Sequence, residues 1–93
     1  MLEAQLERAL VREIERRGGM ARKFVSPGWR GAPDRIVLMP GGRIWFVELK
    51  APGEKPRPLQ AHRLGQLSRL GFGCRYMSNK VELDRFLREV DNQ

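Results

Sequence analysis

Residues 34 to 50 hold two runs of β-forming side chains separated only by Pro40-Gly41-Gly42, and no other stretch restricts the chain's architecture so tightly. A connection this short forces the flanking strands, Asp34 to Met39 and Ile44 to Lys50, into an antiparallel hairpin. Ile44, Trp45, Phe46 and Val47 supply the β-branched and aromatic side chains that suit a pleated surface. Side chains alternate faces along a strand, so Glu48 and Lys50 share one side while Leu49 points into the other layer. The loop length then decides where Asp34 lies. If Gly41-Gly42 alone forms the turn, Asp34 sits opposite Leu49, with its side chain on the wrong face for Glu48. A three-residue loop with glycine in a left-handed conformation, or a bulge near Pro33-Asp34, shifts the pairing by one and gathers both carboxylates. One of these two irregularities is expected.

Around the hairpin the periodicity changes. Leu2, Leu6, Leu10 and Ile14 recur at four-residue steps and predict an amphipathic helix over 2–17, stopped by Gly18-Gly19. Ala21 to Val25 reads as a short strand, and Ser26 to Pro33, with two prolines and two glycines, as an irregular loop. Beyond a second irregular stretch, Ala51 to Pro58, a helix is predicted from Leu59 to Leu70, with Leu59, Leu64, Leu67 and Leu70 inward and Gly71 at its C-terminal cap. Cys74 to Met77 supplies another short strand, in which Cys74 reads as a small buried apolar residue. Ser78 or Asn79 can cap a last helix, Glu82 can close a capping box onto Asn79, and Val81, Phe86, Leu87 and Val90 form its buried face. The order αβββαβα predicts an α/β fold. Its sheet should be mixed, because a tight turn makes its strands antiparallel whereas a helical crossover makes them parallel.

A chain of 93 residues without an internal repeat, low-complexity tract or linker is expected to be one domain over 1–93. So small a domain buries a modest share of its surface, and pairing with a second copy would add to it. The net charge of +7 and pI near 10.8 come from cations spread from Arg8 to Arg88. That balance favours a polyanionic partner, nucleic acid above all, because each phosphate contact releases a condensed counterion. The lone Cys74 excludes an internal disulfide, no Cys/His cluster points to zinc, and the expected setting is the cytoplasm. No signal-peptide pattern is present, and no apolar run approaches the roughly 18 residues of a membrane span.

The chemistry follows from the hairpin. Asp34 and Glu48 are hard oxygen ligands which, with the backbone carbonyl of Leu49, would suit Mg²⁺ or Mn²⁺. Lys50, a compact cation on the same face as Glu48, can orient water or stabilise charge in a transition state. Gly31-Ala32-Pro33-Asp34-Arg35, then Glu48-Leu49-Lys50-Ala51-Pro52-Gly53, then Gln60 at the start of a helix resemble the VRR-NUC domain (virus-type replication and repair nuclease) of the PD-(D/E)xK superfamily. The resemblance runs from Glu3 to the last helix. It implies a restriction-endonuclease-like core, with Asp34 and Glu48 as metal ligands, Lys50 as the catalytic lysine and Gln60 as the supporting glutamine. Glu3 matches the acidic residue of the family's first helix, with Glu7 as a rival. The resemblance also implies Mg²⁺ or Mn²⁺ dependence, action on branched or flapped DNA, a symmetric dimer, and a phage or bacterial source.

Duller readings stand beside these. An acid-x-Lys on a strand is commonly a solvated ion pair, and a glutamine in a first helical turn is commonly a helix-end hydrogen bonder. His62 falls on the exposed side of its helix. Trp29 fits either stacking on an unpaired base or anchoring its loop to the core. Trp45 faces away from Glu48, into a core or a dimer interface. Lys23, Arg30, Arg35, Lys55, Arg57 and Arg63 flank the site in sequence and could follow a phosphate backbone, as could any basic solvated face. Three classes of function remain open: a metal-dependent DNA endonuclease, a non-catalytic nucleic-acid-binding module on the same fold, and an assembly subunit that uses Trp45 and apolar helix faces for contact.

Overall fold

The computed structural model describes residues 1–93. Three helices and four strands follow in the order α1 (Glu3–Arg16), β1 (Met20–Lys23), β2 (Arg35–Met39), β3 (Arg43–Leu49), α2 (Pro58–Arg69), β4 (Gly73–Met77) and α3 (Lys80–Asp91). The strands form one mixed sheet in the order β1-β2-β3-β4, antiparallel at the first two junctions and parallel at the last. This is the expected α/β, αβββαβα architecture.

One sheet face carries Val37, Met39, Trp45, Val47, Leu49 and Met77, and these pack with Leu6, Ala9, Leu10 and Ile14 of α1 and Leu83, Phe86, Leu87 and Val90 of α3 into the core cluster. Trp45 is buried there, its indole N–H donating to Glu89 Oε2 at 2.9 Å and its ring edge-on to Phe86, so it is a core residue and no assembly contact. The other face carries Phe24, Phe46 and Phe72 in an edge-to-face chain. The carboxylates of interest lie on that second face, beside α2.

The sequence reading needs correction at several positions. Leu2 precedes the first turn of α1 and lies outside the sheet's reach, so it is exposed. Leu59 and Leu70 are exposed as well, because the meridian of α2 that faces the sheet passes through Gln60, Leu64 and Leu67 at i, i+4 and i+7. Val81 is exposed, and Leu83 takes the inward position assigned to it. Strand β1 ends at Lys23, though the Phe24 amide still donates to the Asp34 carbonyl at 2.9 Å, and Val25 stands in solvent. Asn79 is the cap of α3, accepting from the Glu82 amide at 2.8 Å, but Glu82 reaches back to the Ser78 amide and hydroxyl instead of to Asn79. Cys74 is half-buried rather than buried. Gly71 does terminate α2: its amide donates to Ser68 and that of Phe72 to Leu67, the paired bonds of a Schellman ending.

Candidate active site

The hairpin register determines the site. Met39 pairs with Arg43 and Arg35 with Val47, which leaves Pro40-Gly41-Gly42 as a three-residue loop. Gly41 and Gly42 have φ of 84° and 75°, left-handed values that strain other residues. Carried one step past Arg35–Val47, this register sets Asp34 beside Glu48, on one face of the sheet. The expected irregularity is therefore the loop, and the bulge is not needed.

Asp34 and Glu48 interlock through the backbone. The Asp34 amide donates to Glu48 Oε1 at 3.2 Å, and the Leu49 amide donates to Asp34 Oδ1 at 3.2 Å. Lys50 Nζ lies 3.4 Å from Glu48 Oε2, and Gln60 Nε2 donates to the same oxygen at 3.0 Å. The Gln60 carbonyl meanwhile accepts from the Arg57 amide at 2.9 Å, which fixes the side chain at the start of α2. The structure thus brings together Asp34, Glu48, the Leu49 backbone, Lys50 and Gln60.

Glu48 and Lys50 are buried, and Asp34 is partly so. Burial pushes the Asp34 carboxyl up to about 6, and the Glu48 charge adds to the rise while the Leu49 amide and Arg35 oppose it. Burial likewise raises Glu48, against the pull of Lys50. Both acids also feel the negative charge of Glu3 from the first turn of α1. Two desolvated carboxylates, of which Glu48 adds to the rise at Asp34, make a place where a hard divalent cation removes a standing penalty, and their oxygens match what Mg²⁺ or Mn²⁺ accepts. No group of three or more acids, histidines or cysteines is gathered in metal-holding geometry, so the structure does not bring Glu3 together with the pair. Glu7, its rival, is committed elsewhere through an ion pair with Arg35.

The basic residues divide. Lys23, Arg30, Lys55 and Arg57 are exposed and free to meet phosphate. Arg35, expected on that surface, is instead buried against Glu7, because strand alternation turns it away from Asp34 and under α1. Arg63 is half-buried: its Nε donates to the Arg30 carbonyl at 2.8 Å and its guanidinium lies 5.0 Å from the centre of the Trp29 ring. Trp29 is thereby an anchor of the loop that delivers Asp34. Gly31 (φ 80°) completes this packing, since a Cβ there would come within 2.7 Å of the Leu59 side chain. A groove of about 160 Å³ runs beside Asp34 between Glu7, Lys23, Phe24 and Val25. The largest hollow, about 540 Å³, lies at the far end of β3 around Arg43, Arg75 and Glu89, whose polar groups bond one another or nearby carbonyls.

The two functional features that the sequence reading missed are the Glu7–Arg35 pair and the Arg63–Trp29 lock. Strand parity carried a signal for the first, by placing Arg35 opposite in face to Asp34.

A mixed four-stranded sheet with helices on both faces and two carboxylates, a lysine and a glutamine on one hairpin-and-helix junction defines a restriction-endonuclease-like domain. A solved structure described as a VRR_NUC domain superposes with a TM-score of 0.86 at 30% identity, covering 92% of this chain and 94% of that one. "Putative nuclease p44" of Acyrthosiphon pisum secondary endosymbiont phage 1 is 55% identical over 69 residues, 74% of each chain. No family profile matches the sequence. On these two likenesses the chain belongs to the VRR-NUC family.

Proposed function

We propose that this protein is a nuclease that hydrolyses phosphodiester bonds in DNA with Mg²⁺ or Mn²⁺, a PD-(D/E)xK endonuclease selective for branched, junction or flap structures in phage or mobile-element DNA processing. The observation that carries the reading is the convergence of Asp34, Lys50 and Gln60 on Glu48. In this reading Asp34, Glu48 and the Leu49 carbonyl would hold the cation. When bound, it supplies an activated water and a counter-charge for the scissile phosphate. Lys50 and Gln60 orient Glu48 from Oε2, and Lys50 opposes the rise that burial gives its carboxyl. Lys50, held at the rim of the pair, offers a proton and a positive charge to the oxygens of the phosphate as negative charge builds there. Exposed Lys23, Arg30, Lys55 and Arg57 would follow the backbone without reading bases. Homodimerisation fits the domain's small size and the symmetry of a four-way junction.

A non-catalytic binding module would keep the basic surface but has no use for the acid pair, whose burial is costly when no cation is held. The test compares wild type with Asp34→Ala, Glu48→Ala and Lys50→Ala on supercoiled plasmid and a branched oligonucleotide, in Mg²⁺, Mn²⁺ or EDTA. Metal-dependent cleavage lost in all three variants supports the proposal. Salt-sensitive binding without cleavage by wild type would replace it with the binding module.

A further inference from the structure

Between β1 and β2 the chain makes a short projection whose two ends are tied down. At its start the Phe24 amide donates to the Asp34 carbonyl at 2.9 Å, and the Phe24 ring packs edge-on to Phe46. At its end the Trp29 ring lies against the Arg63 guanidinium, and Arg63 Nε also donates to the Arg30 carbonyl. The tip between them is a turn, closed by the Trp29 amide donating to the Ser26 carbonyl at 3.1 Å, with Pro27 and Gly28 as its central residues. Proline presets the first of these positions, and Gly28, with φ of 79°, takes the left-handed second position of a type II turn. Nothing supports the tip from below, since a Cβ on Gly28 would meet no atom within 4 Å. The projection is therefore stiffened by its own turn and anchors while it reaches into solvent.

Its surface is apolar where a solvated loop is ordinarily polar. Val25 is 79% exposed, more than any other large apolar side chain of the protein, and Pro27, two residues on, is exposed as well. A lone exposed valine is ordinary. This one lines the same groove as Asp34, with Lys23 in the wall of that groove and Arg30 exposed just past the turn. A stiff apolar point between two cations, beside a phosphodiester site, has a use on DNA where a base face is bare. Along an unbroken duplex the bases cover one another, and such a point meets only sugar and phosphate. At a branch the stack is interrupted, so an apolar side chain can cover the last base pair while the cations hold the diverging backbones.

We propose that the Val25–Pro27 tip is a wedge that covers the bare base pair at a DNA branch point and so sets which phosphodiester reaches Asp34. The inference rests on, and deepens, the reading of this site as one that acts on branched DNA. Cover by a protein partner is the competing use, and the cations on both sides of the tip favour the polyanion.

The experiment measures, by fluorescence anisotropy in EDTA, binding of the full chain to a forked oligonucleotide and to an unbroken duplex of the same length, and then maps the cut positions on the fork in Mg²⁺. Val25→Ser is expected to bind the fork about tenfold less tightly than wild type, the factor that burying one valine side chain supplies, with duplex affinity unchanged and cuts spread over neighbouring phosphates. Val25→Leu, which keeps an apolar tip, should retain both the preference for the fork and the cut position. Because residue 25 stands in solvent, both variants should melt with wild type. Wild-type fork affinity and cut position in Val25→Ser overturn the wedge and leave the tip to a protein partner. Equal affinity of wild type for fork and duplex, or an equal loss on both in Val25→Ser, overturns it as well, since the tip is then no reader of branches. If the wild type prefers the fork through Val25 but cuts no DNA in Mg²⁺ or Mn²⁺, the hydrolytic reading fails and the wedge stands, whereas cutting that ignores Val25 refutes the wedge alone.

Discussion

Asp34→Asn should make the metal-free protein more stable while abolishing cleavage. The Asp34 carboxyl is raised from 3.8 to about 6, chiefly by burial and then by the Glu48 charge, so the fold holds its ionised form at a cost. A group raised in this way contributes stability below its unfolded pKa and loses that contribution as pH climbs through the folded value. For a fully buried group the shift corresponds to ~3 kcal/mol at pH 8. Asp34 is only partly buried, and solvent screening reduces this to about 1 kcal/mol. Asparagine removes the charge, keeps an oxygen for the Leu49 amide, and leaves the backbone bond from residue 34 to Glu48 in place. In EDTA at pH 8 the variant should melt roughly 4–8 °C above wild type. The gap should close as pH falls toward 4, where the wild-type side chain is neutral too. A gap independent of pH, or a variant less stable than wild type at pH 8, refutes the reasoning that these acids are held at a cost offset by a cation.

The same shift governs metal affinity: Mn²⁺ must displace a proton from Asp34 below about pH 6, so binding measured by calorimetry should weaken about tenfold per pH unit there and level off above it. Adding Mg²⁺ or Mn²⁺ at a hundred times the dissociation constant should stabilise the wild type by about 2.7 kcal/mol in a thermal melt, and Asp34→Ala should show no such gain. Gln60→Ala, which leaves Lys50 as the one side-chain partner of Glu48 Oε2, should cut cleavage roughly 10–100-fold with little change in melting temperature, since the glutamine orients a carboxylate and carries no core. Leu10→Ala, in the fully buried face of α1, should cost about 2–5 kcal/mol in denaturant unfolding with the site's metal affinity unchanged at temperatures where the protein stays folded.

The element order was legible because it depends on local signals: periodicity of four in α1, periodicity of two in the hairpin, and glycine after α2; strand parity paired Glu48 with Lys50, and Gln60 came from the family resemblance alone. What escaped depends on tertiary direction. In α2 the four leucines read as one apolar face, but the helix turns Gln60 rather than Leu59 to the sheet, since the side chain that meets Glu48 has to lie on the inward meridian with Leu64 and Leu67. Leu59 still finds a use as the surface over Gly31. Arg35 misled through its charge. Strand parity alone places it under α1, where only a paired guanidinium is tolerated, and Glu7 is the acid that the helix offers there. Arg63 misled in the same way, as a cation that packs on an aromatic ring and a carbonyl of its own chain.

The register itself was left between alternatives, yet one residue already weighed against the two-residue turn. Closing a hairpin on Gly41-Gly42 would make Pro40 and Arg43 the terminal pair, and a complete narrow pair of that kind uses an amide hydrogen from each residue. Proline has none. A two-residue turn would thus lack one of its two closing bonds; the ladder begins instead at Met39–Arg43, and three residues cross the gap, which the two glycines allow by adopting φ of 84° and 75°. Counting back from Met39 brings Asp34 alongside Glu48. The proline thus favours, from a distance of six positions, the register in which the two carboxylates share a face, and the acid pair owes as much to that missing amide hydrogen and to the two left-handed glycines as to the acids themselves.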